Sequence, residues 1–316
     1  MTATSSLDET AAALERSVRG KVRRDFPISR FTSFRLGGPA AVLVEPADAE
    51  DLAAVGRVLA KTELEPLVIG RGTNLLVSDD GYEGVVIRLG KPFEWIRSED
   101  SELEAGGSTP LPQVANRAAR LSLTGLEFAI AIPATVGGAV KMNAGAHSSS
   151  VSDILGSATI CRLAGGELKT VNPEDLAMGY RESSLGASDV VTSARFRLES
   201  GDREEILGRM ERYRTHRSTT QPVEAPNAGS MFRNPAGDTA GRLIEAAGLK
   251  GRRAGGAEVS QKHANFFLAL PGARAQDVYE LMALVQKAVK RESGVLLIPE
   301  VRLAGRFNRT APLEGA

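Results

Sequence analysis

The sequence predicts an α+β protein with two domains. The chain has 316 residues, more than one hydrophobic core usually organises, so two cores are expected. Strand-like runs alternate with amphipathic helical patterns along most of the chain. Near residues 199–202 the pattern changes from a strand to a long helix. We therefore expect the domain boundary there.

The first domain, expected over 21–199, is preceded by a polar, alanine-rich segment. This segment, 1–20, is expected to be flexible, with one helix over 7–18. A second helix is predicted over 48–62, because its leucines and valine recur on one face. Strands are predicted at 66–69, 85–89, 102–105, 157–163 and 189–198, with a glycine-rich band at 132–145.

The second domain, expected over 200–304, opens on a helix in which Ile206, Met210 and Tyr213 share one face. Further helices are predicted near 239–247 and 275–291, and strands near 257–269 and 295–303. Residues 305–316 carry no periodic pattern and are expected to form a flexible C-terminal tail.

Composition excludes several classes of function. Lysine plus arginine equals aspartate plus glutamate, at 39 each, so no basic field favours nucleic acid. The single cysteine, Cys161, allows neither an internal disulfide nor a cysteine metal cluster, and its strand-like surroundings indicate a core residue. No metal, membrane or obligate protein partner is expected. The N-terminus lacks the features of a secretory signal, so a cytoplasmic protein is expected.

The glycine-rich run I-G-R-G-T-N-L-L at 69–76 follows a predicted strand. It does not match a dinucleotide fingerprint, because Leu75 stands where the third glycine belongs, and it is not a P-loop. Its glycines and polar side chains could cradle a pyrophosphate. A plain turn is equally compatible with these residues.

The run N-A-G-S-M-F-R-N-P at 227–235 places Ser230 after a glycine and among side-chain donors. No nucleophile elbow surrounds it, and the chain has only three histidines, His147, His216 and His263, which argues against an acyl-transfer serine. Turn chemistry alone favours a structural role.

Two other motifs change that balance: G-Y-R-E-S-S at 179–184 and I-P-E-V-R at 298–302. Together with 227–235, in this order, they resemble the catalytic motifs of the UDP-N-acetylenolpyruvoylglucosamine reductase family. The resemblance extends from about Arg24 to about Leu303 and includes F-T-S-F-R-L-G-G-P-A at 31–40. No insertion follows Arg181, so the chain resembles the shorter type, without an extra substrate-capping loop.

The resemblance implies an FAD-binding fold of the vanillyl-alcohol oxidase type, followed by a smaller α+β substrate-binding domain. It implies non-covalent FAD, NADPH as reductant, and a role in peptidoglycan synthesis and hence cell shape and division. The residues that match the family's flavin contacts are Ile69, Gly70, Arg71, Gly72, Thr73, Asn74, Leu75, Ala134, Thr135, Gly137, Gly138 and Asn143.

The implied reaction reduces UDP-N-acetylglucosamine enolpyruvate to UDP-N-acetylmuramate, with hydride passing from flavin N5 to C3. Arg181 would pair with the substrate carboxylate as charge develops. Glu300 would have a raised pKa and donate a hydrogen bond as the neutral acid. Ser230 would give the proton to C2. On the residues alone, Arg181 could instead form a surface ion pair and Glu300 could be a buried partner of Arg302.

Substrate binding is expected from matching polar residues: Tyr180, Arg214, Arg217, Gln221, Arg233, Asn234, Lys262 and His263. Arg214 and Arg217 could also simply solvate a helix face. His263 could be a structural hydrogen-bond partner. Lys141 stands where the family often has an aromatic residue, and its role is open.

Two other functions are compatible with this pattern. One is an FAD-dependent oxidase or dehydrogenase of an alcohol or aldonolactone, which would need a base rather than the proton donor that Ser230 offers. The other is a non-catalytic nucleotide-sugar sensor, which would be purified without flavin.

Overall fold

The computed structural model describes residues 3–308 and 312–315. Its helices, in chain order, are α1 (Ala3–Ser17), α2 (Ala49–Leu59), α3 (Leu111–Arg120), α4 (Val136–Lys141), α5 (Arg203–Thr220), α6 (Ala240–Ala246) and α7 (Ala275–Ser293). None of the helices in these residues has the length and hydrophobicity needed to cross a bilayer.

The strands from the N-terminus to residue 106 are β1 (Lys21–Pro27), β2 (Pro39–Glu45), β3 (Leu67–Ile69), β4 (Leu75–Val77), β5 (Tyr82–Arg88), β6 (Ile96–Glu99) and β7 (Glu102–Gly106). Those up to residue 200 are β8 (Leu123–Thr124), β9 (Gly145–Ala146), β10 (Ser149–Ser150), β11 (Leu155–Arg162), β12 (Glu167–Val171), β13 (Asp189–Arg197) and β14 (Glu199–Ser200). The remaining strands are β15 (Arg253–Ala254), β16 (Ala257–Val259), β17 (Phe267–Ala269) and β18 (Arg302–Ala304).

The described residues form two compact units. Unit 1 takes 3–25, Ala41–Arg71 and Gly84–His216, and unit 2 takes Phe26–Ala40, Gly72–Glu83 and the described residues from Arg217 onward. This division differs from the single boundary near residue 200 that the sequence predicts. The two early segments belong to unit 2 because their apolar side chains, such as Phe34 and Leu76, are buried in its core.

Unit 1 is built around an antiparallel sheet in the order β12-β11-β13-β7-β6. The register pairs Ala194 of β13 with Ala158 of β11 on one side and with Ala105 of β7 on the other. The same three alanines belong to a buried cluster that includes side chains of α3 and α4. Burial of these apolar faces is the main stabilising contribution to this layer.

A second sheet, in the order β1-β2-β5-β3, carries the other core of unit 1. Strand β3 runs parallel to β5, with Leu67 opposite Val86. Helix α1 contributes Ala11 and Leu14 to this core. Residues 1–20 were expected to be flexible, but of them 3–17 form α1, because one face of the helix buries apolar side chains there.

Cys161 of β11 also lies in this second core and is fully buried, as its strand-like surroundings predicted. Burial raises the pKa of the thiol to about 11. The side chain is therefore a protonated, unreactive apolar group near neutral pH.

The core of unit 2 is formed by α6, α7 and the antiparallel sheet β15-β16-β17, with Phe232, Phe267 and Met282 among its buried side chains. Strand β18 pairs in parallel with β4, so that Arg302 lies opposite Leu75. The predicted strand at 295–303 is shorter than expected, because only Arg302–Ala304 follows a ladder.

The C-terminal tail at 305–316 differs from its expectation where it is described. Leu313 is buried, its N–H donates to the Tyr279 hydroxyl at 3.4 Å, and Glu314 forms an ion pair with Lys290 at 2.8 Å. Residues 309–311 and 316 lie outside the described residues. The described part of the tail is held because α7 offers it both an apolar and a charged surface.

Candidate functional site

Ser230 lies in unit 2 on a segment that is held from both sides by backbone hydrogen bonds. On one side Ser230 forms a bridge with Phe266, and Met231 N donates to Asn265 O at 2.8 Å. On the other side Phe232 forms a bridge with Pro299. Met231 and Phe232 are fully buried, whereas Ser230 is only partly buried. The segment therefore presents the serine from a rigid support.

The Ser230 hydroxyl makes no hydrogen bond to any residue within 3–308 and 312–315. Asn227, one of the side-chain donors of the run 227–235, folds the preceding loop: its amide donates to Pro222 O and Ala225 O and accepts from Gly229 N. Of these two side chains, only Ser230 leaves its polar group for a ligand.

Asn265 holds the Ser230 segment and was missed by the sequence analysis. Its Oδ1 accepts from Phe232 N at 3.0 Å and its Nδ2 donates to Phe232 O at 2.8 Å. The side chain is only 2 % exposed. A buried amide that pairs with both backbone groups of one residue satisfies them as the backbone of a neighbouring strand would. The signal available in the sequence was an asparagine between apolar residues at 264–267.

Glu300 is the third member of this arrangement. Its N–H donates to Met231 O at 2.9 Å, so it lies on the segment that pairs with the Ser230 segment. The sequence predicts Glu300 inside a strand, whereas in the structure it precedes β18. Its carbonyl accepts from Asn74 Nδ2 at 3.1 Å. Unit 2 thus brings together Ser230, Glu300 and a residue expected to contact flavin.

The two glycine-rich segments assigned to flavin meet at Gly70 and Thr135 in unit 1. A Cβ at position 70 would lie 2.7 Å from Thr135 Oγ1, so only glycine fits there. Thr135 caps α4, with Oγ1 accepting from Gly138 N at 3.2 Å. The contact supports the expectation that these segments act together.

Not every glycine of this region is available to a cofactor. Gly137 N donates to Gly107 O at 2.9 Å, and a Cβ at 137 would lie 3.0 Å from Val191 O. A side chain at Gly137 would crowd this carbonyl oxygen, so the packing within unit 1 favours glycine here. Ala134 accepts from Leu111 N at its carbonyl. The side chains of Ile69 and Leu75 are buried, so these two residues can offer a cofactor only their backbone.

The loop after β3 fits an anionic cofactor group. Gly72 has a φ of 59°, and a Cβ there would lie 2.2 Å from Phe31 O, so the position requires glycine. In the part of the chain that the structure describes, the N–H groups of Arg71, Gly72 and Thr73 have no hydrogen-bond acceptor. Free backbone N–H groups in a glycine-rich loop are the donors that a pyrophosphate needs.

Arg181 lies on a tight turn of unit 1. The turn is closed by Gly179 N donating to Glu182 O at 3.0 Å, with Tyr180 and Arg181 as its central residues. Arg181 has a φ of 60°, which is uncommon for a residue with a side chain. Its guanidinium donates to Gly145 O at 2.8 Å and lies over the Tyr180 ring, 5.2 Å from the centroid. Tyr180 is 55 % exposed.

Asn143 was expected to contact flavin, but its carboxamide is engaged inside unit 1. It donates to Gly179 O at 2.9 Å and to Ser152 Oγ at 3.2 Å, and accepts from Ser152 N at 2.9 Å. The turn that carries Arg181 is therefore bonded directly to this asparagine.

The two arginines of α5 that are expected to bind substrate differ in their surroundings. Arg214 donates to Asn116 Oδ1 at 3.1 Å and pairs with Glu211 at 3.5 Å, as expected for a solvated helix face. Arg217 is partly buried, and burial lowers the pKa of its guanidinium below the usual value for arginine. Its carbonyl accepts from Gln221 N, and Lys262 Nζ donates to Ser218 O at 2.5 Å. Unit 2 thus gathers Arg217, Gln221 and Lys262.

Asn234 and His263 have structural contacts. Asn234 Oδ1 accepts from Ala240 N at 3.0 Å at the start of α6. His263 Nδ1 accepts from Asn265 N at 3.2 Å, and its ring meets Phe266 edge-on at 4.8 Å. These contacts favour the alternative in which His263 is a structural hydrogen-bond partner. Arg233 donates from its backbone N–H to Ile298 O at 2.9 Å.

The environment of His263 predicts a dependence of stability on pH. Burial lowers its pKa below the ordinary value of 6.5. The unfolded chain therefore binds a proton more readily, and the free energy of unfolding should fall as the pH drops below about 6.5. His263→Asn keeps an acceptor for Asn265 N and should show a smaller decrease between about pH 7.5 and 5.5. Denaturant unfolding at several pH values measures this.

His216→Asn is the control for that measurement, because it removes an exposed imidazole from unit 1. It should change the pH dependence less than His263→Asn does. Equal curves for His263→Asn and the unsubstituted chain would show that His263 does not couple stability to pH.

Comparisons with known proteins place the chain among flavoenzymes. Residues 221–304 match a family model described as "UDP-N-acetylenolpyruvoylglucosamine reductase, C-terminal domain", and residues 40–172 match one described as "FAD binding domain". The chain is 44 % identical to UDP-N-acetylenolpyruvoylglucosamine reductase 2 of Symbiobacterium thermophilum, over 90 % of this chain and 93 % of that protein. It is 43 % identical to UDP-N-acetylenolpyruvoylglucosamine reductase 1 of Bacillus cereus, over 91 % of this chain and 96 % of that one.

The crystal structure of a UDP-N-acetylenolpyruvylglucosamine reductase from Thermus caldophilus is also similar. It has a TM-score of 0.76 and 38 % sequence identity, and the match covers 91 % of this chain and 99 % of that one. The predicted fold class is confirmed as an FAD-binding domain followed by a smaller α+β domain. The chain is an FAD-dependent oxidoreductase. Since identity above 40 % extends over nine-tenths of the chain, it belongs to the UDP-N-acetylenolpyruvoylglucosamine reductase family.

Proposed function

We propose that this chain reduces UDP-N-acetylglucosamine enolpyruvate to UDP-N-acetylmuramate in the cytoplasm, with NADPH as reductant, as a step of peptidoglycan precursor synthesis. The observation that carries the proposal is that Ser230 and Glu300 lie on paired backbone segments of unit 2. A proton donor and a carboxyl group on one rigid support suit the reduction of an enolpyruvyl ether.

The residues that would hold FAD are those of the glycine-rich segments apart from the Asn143 side chain, which is engaged within unit 1. The backbone N–H groups of Arg71, Gly72 and Thr73 would be the donors to its phosphates. When bound, FAD accepts reducing equivalents from NADPH and supplies hydride from N5 to C3 of the enolpyruvyl group. The close contact of Gly70 with the Thr135 side chain would hold the two glycine-rich segments together at the cofactor.

Hydride addition at C3 leaves negative charge at C2, which spreads onto the substrate carboxylate. Arg181 would pair its planar guanidinium with both carboxylate oxygens, an arrangement that lysine cannot reproduce. Its neighbour Tyr180 offers an exposed ring beside the same group. The uncommon φ of Arg181 supports a functional constraint at this turn.

Glu300, in its protonated form, would donate a hydrogen bond to the same carboxylate and stabilise the developing charge. Ser230 would complete the reaction: its O–H bond breaks as a C–H bond forms at C2, and solvent returns the proton to the serine oxygen. The Ser230 hydroxyl suits this task because no group of the described chain engages it.

For the nucleotide part of the substrate we propose Arg217, Gln221 and Lys262 as the diphosphate contacts, because unit 2 gathers them at the end of α5. Arg214, Arg233 and Tyr180 would add further contacts. Asn234 and His263 would contribute to substrate binding indirectly, by holding the backbone N–H groups of Ala240 and Asn265.

Purified protein tests this proposal. Its visible spectrum should show bound flavin, NADPH should bleach the flavin under anaerobic conditions, and UDP-N-acetylglucosamine enolpyruvate should restore the colour with formation of UDP-N-acetylmuramate. UDP-N-acetylglucosamine, which lacks the enolpyruvyl double bond, is the control and should leave the flavin reduced. Reoxidation by neither compound, or reduction of the flavin by an alcohol or aldonolactone instead of NADPH, would overturn it.

A further inference from the structure

The loop that carries Arg181 is bonded at several points to the last residue of α4 and to the residues that follow this helix. We name residues 179–186 the Arg181 loop. Ser183 Oγ donates to Lys141 O at 2.7 Å, and Lys141 Nζ donates to Gly186 O at 2.6 Å. The Arg181 guanidinium donates to Gly145 O. Lys141, whose role is open from the sequence, therefore bonds to the Arg181 loop through both its backbone carbonyl and its ammonium group.

Asn143 lies between Lys141 and Gly145, the two residues that bond to the Arg181 loop, and is only 6 % exposed. Both its donor and its acceptor atoms are used: Nδ2 toward Gly179 O and Ser152 Oγ, and Oδ1 from Ser152 N. Its φ of 39° is a conformation that asparagine tolerates better than most residues. A buried amide with this set of bonds has one orientation, and it therefore fixes the position of the Gly179 carbonyl to which it donates.

The carbonyl that Asn143 holds is the one at which the Arg181 turn begins. Gly179 opens the turn, and Arg181 follows two positions later with its left-handed φ. Gly145, which accepts from the Arg181 guanidinium, lies two positions after Asn143. Asn143 thus bonds to the residue that opens the turn and lies two positions from the carbonyl that the Arg181 guanidinium contacts.

We propose that Asn143 is a positioning residue for Arg181, rather than a flavin contact through its side chain. It fixes the start of the turn so that the guanidinium meets the substrate carboxylate as charge develops. This inference rests on the proposed function through the role of Arg181. A displacement near 1 Å in such a group can cost about 10²-fold in rate.

Asn143→Asp is the most informative substitution. Aspartate keeps the shape, the tolerance of a left-handed φ and the acceptor for Ser152 N, but it replaces the donor to Gly179 O with a repelling oxygen. In the FAD-loaded enzyme, flavin content and reduction by NADPH should be unchanged, while reoxidation by the enolpyruvyl substrate slows by about 10–100-fold. In an Arg181→Ala background the same substitution should add no further loss.

Hydrogen exchange of the purified protein gives a second readout that needs no turnover. The Gly179 amide, which donates to Glu182 O, should exchange faster in Asn143→Asp. The faster exchange should be confined to the Arg181 loop and to residues 141–145, which bond to it. Asn308→Asp, the same chemical change at an exposed asparagine of unit 2 whose backbone N–H donates to Gln276 Oε1, should alter neither rates nor exchange in the Arg181 loop.

The outcomes separate this inference from the proposed function. If unsubstituted enzyme is not reoxidised by the enolpyruvyl substrate, the proposed function fails. If that enzyme is active and Asn143→Asp loses flavin, slows both half-reactions together or slows neither, the positioning role is wrong. Unchanged exchange in the Arg181 loop, or additive losses with Arg181→Ala, would overturn it as well.

Discussion

Ser230→Ala is expected to leave flavin content and NADPH-driven bleaching almost unchanged, while reoxidation by the enolpyruvyl substrate slows by about 10²–10⁴-fold, the usual contribution of a positioned general acid. Reduction of the flavin requires no proton at C2, so loss of the proton donor should affect only the reoxidation half-reaction. Alanine should be tolerated structurally, because Ser230 is held by its backbone and its hydroxyl bonds to nothing else in the described chain. Stopped-flow absorbance measures both half-reactions.

Ser78→Ala provides the structural comparison for this experiment. The Ser78 hydroxyl is buried, donates to Arg306 O at 2.5 Å and accepts from Asp80 N at 3.2 Å. Its loss should lower the free energy of unfolding by about 1–3 kcal/mol, without singling out reoxidation. Ser230→Cys should keep part of the rate. If Ser230→Ala slows both half-reactions equally, or neither, Ser230 is not the proton donor.

Arg181→Lys is expected to slow flavin reoxidation by about 10²–10³-fold, similar to the loss of one preorganised donor to a developing anion. The positive charge remains, but an ammonium group cannot bind two carboxylate oxygens in one plane. Lysine has no better tolerance of the left-handed φ of 60° than arginine, so backbone strain should be equal in the two proteins. Flavin reduction by NADPH should be unaffected.

Arg195→Lys is the matched control in unit 1, since Arg195 pairs with Glu102 at 2.9 Å on β13 and takes no part in the proposed site. It should behave as the unsubstituted enzyme in both half-reactions. A near-normal reoxidation rate in Arg181→Lys would remove Arg181 from the group that stabilises charge.

Local periodicity was sufficient for the long amphipathic helices. The helices predicted at 48–62 and 275–291 correspond to α2 and α7, because the spacing of apolar residues along a helix records which face is buried. The family was also recognised from short motifs in one order, and the comparisons confirm it. The roles of the individual site residues stay predictions.

The contributions of Asn143 and Asn265 could not be read from the sequence. Each is an asparagine whose meaning depends on a carbonyl or N–H tens of residues away: Gly179 for one and Phe232 for the other. Asn74 was expected to contact flavin and also bonds to Glu300, 226 residues distant. Hydrogen-bond partners at such separations leave no periodic signal in the chain.

The sequence by itself determined the fold class, the family and most long elements of this protein, because apolar spacing and short motifs are local properties of the chain. Only the tertiary structure decided that two early segments, 26–40 and 72–83, join the C-terminal core, and that the N-terminal helix is packed rather than loose. It also decided which polar side chains support the candidate site from within. The physical reason is that burial and hydrogen bonding are satisfied by whichever groups the fold brings together, whatever their distance along the chain.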